Sequence, residues 1–214
     1  MADVDNNQAN STELLETIKT NFIPQLMSKY TGLKIDFDGS SKETEKTASS
    51  MIKGFAFGLF GIFAILSFQF KSYVQPLIVM LAIPMALIGV IYGHLLVGYS
   101  MSMPSMMGFI SLAGIVVNDS ILLVQYIRHH VELGDPIEKA VVAASRERFR
   151  AVFITSLTTA AGLLPLLLET SLQAQVVKPL IISIVFGLIA STFMVLFFIP
   201  CAYAALDDHD MVKF

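Results

Sequence analysis

Beyond residue 50 the chain is a succession of apolar runs separated by short polar stretches. The runs cover residues 51–70, 77–98, 105–127, 151–168 and 179–206. Within them the apolar residues form blocks and are not spread at amphipathic spacing. A block of roughly 20 residues, as a helix, matches the ~30 Å hydrocarbon thickness of a bilayer. The pattern therefore predicts five membrane-spanning helices, the last long enough to tilt or protrude. Pro84 and Gly89 fall inside the second run, where breakers are tolerated in lipid.

Residues 1–50 read differently. Ser11 or Thr12 can cap a helix with Leu14, Leu15, Ile18, Phe22 and Leu26 on one face, and Pro24 is placed to kink or shorten it. Leu33 to Asp38 alternates apolar and polar residues, predicting one half-buried strand that ends at Gly39-Ser40-Ser41. One helix and one strand cannot satisfy a sheet. This small α+β fragment is expected to belong to a larger domain outside the membrane. Residues 128–150 form a charged connection, with Gly134-Asp135-Pro136 as a turn and a surface helix from Ile137 to Arg146. Residues 207–214 make an acidic tail.

Composition agrees with a lipid environment. Hydrophobic residues make up 55% and charged residues 14%, against about 25% charged in soluble domains, and the mean hydropathy is +0.69. A net charge of -3, with no basic arm carrying interleaved aromatics, excludes nucleic acid as a partner. The single cysteine, Cys201, lies in an apolar run and is expected to act as a small buried hydrophobe. Met1 to Ser11 lacks the charged-then-apolar order of a signal peptide.

Basic residues in short loops mark the cytoplasmic side. Lys71, Arg128, Lys139, Arg146, Arg148 and Arg150 occupy two connections on one side, whereas the loops at 99–104 and 169–178 hold only Lys178. This places the N-terminal segment outside and the C-terminus in the cytoplasm. With no export signal ahead of an outer segment, a preceding span is expected.

Asp119 is the residue most able to carry chemistry. An ionised carboxylate within a span costs about 2.5–3.5 kcal/mol on insertion scales, so something must compensate for it. Counting back from Ile127 puts it roughly 12 Å inside the cytoplasmic end. Two readings are open: a proton carrier, or a structural hydrogen-bonding group between helices. Candidate partners are Arg148, at the mouth of the fourth span, and Thr155, seven residues on along the same face. Thr158, Thr159 and Gly162 extend that stripe, which either lines a narrow wet path or packs closely against a neighbour. Arg146 and Arg150 are read as topology determinants.

The remaining polar residues suggest less. His129 and His130 point about 100° apart on a helix and no second ligand cluster accompanies them, so no metal site is expected. His94 is read as a neutral hydrogen-bonding residue and Glu169 as an interfacial charge. No nucleophile elbow, phosphate-binding loop or zinc-protease motif occurs, so neither enzymatic chemistry nor a cofactor is expected.

Several strings stand in a familiar order and spacing: Phe70-Lys71-Ser72-Tyr73-Val74-Gln75-Pro76-Leu77, Ala82-Ile83-Pro84, Gly114-Ile115-Val116-Val117-Asn118-Asp119-Ser120, and Arg148-Phe149-Arg150 followed by Ile154-Thr155-Ser156-Leu157-Thr158-Thr159. Together they resemble the resistance-nodulation-division efflux permeases of the hydrophobe/amphiphile (AcrB-like) type, over residues 12–206. Members of that family have twelve spans in two halves, each with an extracytoplasmic porter region. The resemblance implies that residues 12–50 correspond to the last helix and strand of the second porter region, and the five runs to spans eight to twelve. The fold class expected is thus an all-α membrane protein preceded by a porter fragment.

The resemblance also implies a bacterial inner-membrane homotrimer that exchanges inward protons for outward hydrophobic or amphiphilic compounds. It implies a periplasmic adaptor and an outer-membrane channel as partners, and a chain that needs the remainder of the permease to transport. The family's relay joins an aspartate pair in the fourth span to a lysine in the tenth and an arginine and a threonine in the eleventh. The arginine matches Arg148, the threonine Thr155 and the lysine Asn118. An amide cannot replace an ammonium in an ion pair, and Asp119, next along, sits about 100° around the helix from it. Other classes considered are a superfamily relative assisting protein or lipid export, and a membrane scaffold without transport.

Overall fold

The computed structural model describes residues 17–29 and 40–207, and all regular structure among them is helical. The chain divides into two compact units, Met1–Lys46 and Thr47–Phe214. In the first, a π-helical turn, Ile18–Phe22, runs into helix α1 (Ile23–Lys29), and the Ile23 amide donates to the Ile18 carbonyl five residues back. Pro24 follows directly. It has no amide hydrogen and its ring crowds the carbonyl four residues earlier, so a change of register beside it is where a helix absorbs the misfit. The expected cap at Ser11 or Thr12 and the expected strand at 33–38 lie outside the described residues.

Five long helices follow: α2 (Ser40–Phe70), α3 (Val74–Val97), α4 (Met103–Glu132), α5 (Ile137–Leu168) and α6 (Leu172–Asp207). All five are long and apolar enough to cross a membrane, as the runs predicted, and the chain is a multi-pass membrane protein. The helices exceed the apolar runs. Residues 128–132 prolong α4, and 137–150 form the first half of α5 instead of a separate surface helix. Only the turn at Gly134 and Pro136 interrupts them: Gly134 adopts φ 96°, a left-handed conformation that L side chains rarely take. Likewise α3 ends where Gly98, at φ 77°, donates its amide to the His94 carbonyl at 2.9 Å.

Helix α6 is the centre of the unit, packing against α3, α4 and α5. Small residues let the backbones approach. Gly89 and Gly93 of α3 leave no room for a side chain beside Phe186 and Ala190 of α6. Gly187 in turn sits against Leu112 of α4 and Val90 of α3, and Gly108 of α4 lies on the Leu180 carbonyl. Close packing through small residues is one source of attraction between helices already in lipid, where no hydrophobic drive remains. Helix α2 joins through one face, Phe55, Leu59, Ile62, Leu66 and Phe70, with Phe55 and Phe109 rings 6.0 Å apart.

Polar links also cross the bundle. The Thr192 hydroxyl of α6 donates to the Leu188 carbonyl at 2.7 Å, so the buried contact of 2.6 Å between Ser156 of α5 and Thr192 is donated by Ser156. Near the α3–α4 turn, buried His94 spans from the Val90 carbonyl to the Ser105 hydroxyl, at 3.0 and 2.8 Å. A carbonyl only accepts, so Nδ1 carries the hydrogen. This is the hydrogen-bonding role expected for His94. Cys201 corrects the sequence expectation: it is exposed, because it lies on the side of α6 turned away from the other helices.

Candidate functional site

One face of α4 is buried along its length, and Asp119 lies on it between Val116, Val117, Ser120 and Leu123. Its exposure is 9%. The Ser120 hydroxyl is spent on the Val116 carbonyl at 2.7 Å. No described residue donates a hydrogen bond to the Asp119 carboxylate. Its electrostatic partner is Arg148 on α5, the helix that packs beside α4. Sequence reasoning paired these two; they lie on neighbouring, packed helices, and Arg148 acts on Asp119 through its charge without a direct ion pair.

Arg148 is held from another side as well. Its guanidinium carbon lies 4.9 Å from the centre of the Tyr126 ring, within the range of a cation–π attraction. Its Nε is closed to solvent and has no hydrogen-bond partner. Arg148 is therefore placed by a ring face and a remote carboxylate, with a donor still unspent. Tyr126 escaped the sequence reading, although it stands seven residues after Asp119 and so on the same face of α4.

The other two candidates lie elsewhere. Asn118 is exposed although its neighbour Asp119 is buried, as a 100° rotation per residue requires. Gly114, one turn earlier on that side, faces open space. Thr155 is exposed too, and its hydroxyl donates to the Ala151 carbonyl at 2.9 Å. Thr158 and Thr159 are bonded in the same way to the carbonyls of their own helix. The four candidates thus divide into an inner pair, Asp119 and Arg148, and two residues on open helix surface, Asn118 and Thr155.

At the α4–α5 turn, His130 stands between Asp135 Oδ2 and Glu147 Oε1, each 3.3 Å from a ring nitrogen. The contact ties the end of α4 to the turn and to α5. Among the described residues no group of three or more His, Cys, Asp or Glu is arranged to hold a metal ion. Arg146 and Arg150 are exposed.

Comparison with known proteins matches the sequence profile of the AcrB/AcrD/AcrF family to residues 5–207. Multidrug resistance protein MdtC of Erwinia amylovora is 31% identical over 172 residues, 80% of this chain, and MdtC of Erwinia tasmaniensis is 30% identical over the same share. The chain spans 17% of the length of these relatives. Among solved structures, two crystal forms of a heavy metal efflux pump superpose with TM-scores of 0.77 and 0.69 at 25% identity. They cover 94% and 89% of this chain and 20% and 19% of theirs.

Proposed function

Because the chain belongs to the AcrB/AcrD/AcrF family of resistance-nodulation-division permeases, we propose that its five helices form the proton-responsive part of an efflux transporter's membrane domain. The observation that carries this reading is the carboxylate of Asp119, buried in a membrane helix with Arg148 as its electrostatic partner. A carboxyl group in lipid is costly when charged and cheap when neutral. Proton entry at Asp119 cancels its attraction for Arg148, and the contact between α4 and α5 is the element that feels the change. Proton release restores it. In this scheme Asp119 takes the part that a lysine plays elsewhere in the family at the position of Asn118. Asn118 and Thr155, on open helix surface, meet acidic helices in the remainder of the permease.

The assembly proposed is a homotrimer in a bacterial inner membrane, with the N-terminal segment periplasmic and the C-terminus cytoplasmic. A periplasmic adaptor and an outer-membrane channel complete it. Small hydrophobic or amphiphilic compounds are the proposed substrates, in keeping with relatives named for multidrug resistance at 31% and 30% identity.

The test is reconstitution of the permease containing this chain in proteoliposomes, with efflux of a lipophilic cationic dye driven by an imposed pH gradient. Asp119→Asn is expected to reduce gradient-driven transport to the level of empty liposomes while leaving the complex assembled. Undiminished transport by that variant would remove Asp119 from the coupling. No gradient-driven transport of any dye by the wild-type complex would favour a scaffold or an export-assisting role.

A further inference from the structure

The wall of α2 that turns away from the bundle carries a groove of about 590 Å³ near its C-terminal end. Its sides are the rings of Phe60, Phe63 and Phe68, and its mouth is Lys71 with Tyr73 beside it. Ser67 lines it too, with a hydroxyl that has no hydrogen-bond partner. From Phe60 to Phe68 the helix rises about 12 Å, the depth of a substantial part of one acyl chain. The groove ends where the apolar run ends, at Phe70, and hence at the level where lipid headgroups lie.

Charge distinguishes this mouth from an ordinary lipid-facing surface. Lys71 has no carboxylate partner among the described residues. The nearby cation is already matched: Arg128, which reaches the Phe70 carbonyl at 3.5 Å, is paired with Glu132 at 2.9 Å. The Ser72 hydroxyl is also occupied, accepting from the Val74 amide at 3.3 Å. One free ammonium therefore stands over an aromatic slot. Lys71 is moreover the one non-glycine residue with positive φ, 53°, among the described residues. Glycine or asparagine would take that conformation more readily, so a lysine there is a local departure that directs attention to its side chain.

We infer that this groove is a binding site for an anionic phospholipid, with one acyl chain along the phenylalanine wall and the phosphate on Lys71. The lipid chemistry follows from the two halves of the site. Phenylalanine rings in a slot open along its length exclude a small soluble anion as the natural occupant, and a single unneutralised cation selects an anionic headgroup over a zwitterionic one. A lysine near the membrane surface contributes enough to favour an anionic lipid about fivefold.

Native mass spectrometry of the full chain in detergent micelles tests this, with phosphatidylglycerol and phosphatidylcholine of identical acyl chains as probes. Wild type is expected to retain one phosphatidylglycerol at about one-fifth of the phosphatidylcholine concentration. Lys71→Gln should abolish the preference, Lys71→Arg should keep it, and Lys53→Gln, at the far end of the apolar run, should leave it unchanged. Lys71→Gly guards against misfolding. Glycine adopts φ 53° freely, so that variant stays folded and still loses the preference. Phe63→Ala should lower retention of both lipids. Equal retention of the two lipids by wild type, or an intact preference in Lys71→Gly, would overturn the proposal. So would displacement of phosphatidylglycerol by millimolar inorganic phosphate, which marks a site for a soluble anion.

Discussion

Arg148 illustrates how a charged side chain is kept near an apolar bundle. It stands 4.9 Å over the Tyr126 ring, and Asp119 acts on it from the buried face of the same helix as that tyrosine. A cation–π contact is worth about 0.5–2 kcal/mol, more where water is excluded. Tyr126→Leu should accordingly lower the unfolding free energy in mixed micelles by an amount in that range, whereas Tyr126→Phe should leave it nearly unchanged. The ring face, not the hydroxyl, supplies the attraction. On an Arg148→Leu background, Tyr126→Leu should cost much less, a non-additivity that a double-mutant cycle reads directly. Full additivity would show that Tyr126 stabilises the bundle by packing alone. Asp119 was legible in the sequence because charge in an apolar run is conspicuous, and Arg148 because it is a basic residue at the mouth of the following run. Tyr126 and the Ser156–Thr192 pair were not, since an amphipathic ring or a hydroxyl is unremarkable in a span until its neighbour across the interface is known.

Among the elements, glycine separates contacts that matter from surfaces that do not. Gly187 of α6 has Leu112 and Val90 against it, while Gly114 of α4 faces open space. Gly187→Leu should force three helices apart, at the ~1–3 kcal/mol or more typical of overpacking, and should appear as loss of a monodisperse peak in detergent. Gly114→Ala should be tolerated without change in either helicity or elution. The sequence announced the existence of all five helices, because apolar length is a direct consequence of bilayer thickness. Their ends were less legible. Arg128, His129 and His130 are polar, yet polarity does not stop a helix outside the hydrocarbon, and only the left-handed Gly134 and the following proline do so. The same holds for 137–150, whose charges lie along the surface of a helix that simply continues into the membrane.

The unit as a whole leaves a large apolar area uncovered, including Phe57, Phe60, Phe68 and Phe197. Without lipid those surfaces would meet water. Membranes containing the chain should therefore retain it through an alkaline carbonate wash and release it to detergent. Recovery in the wash supernatant would contradict the multi-pass reading.

The placement of α6 also has a consequence for birth order. Helices α3, α4 and α5 each rest on it, and a ribosome delivers it after all of them. Until it emerges, the earlier spans can enter lipid but lack their common neighbour. Nascent chains halted before residue 172 should then be inserted yet open to quality-control proteases, with compaction arriving late and almost all at once.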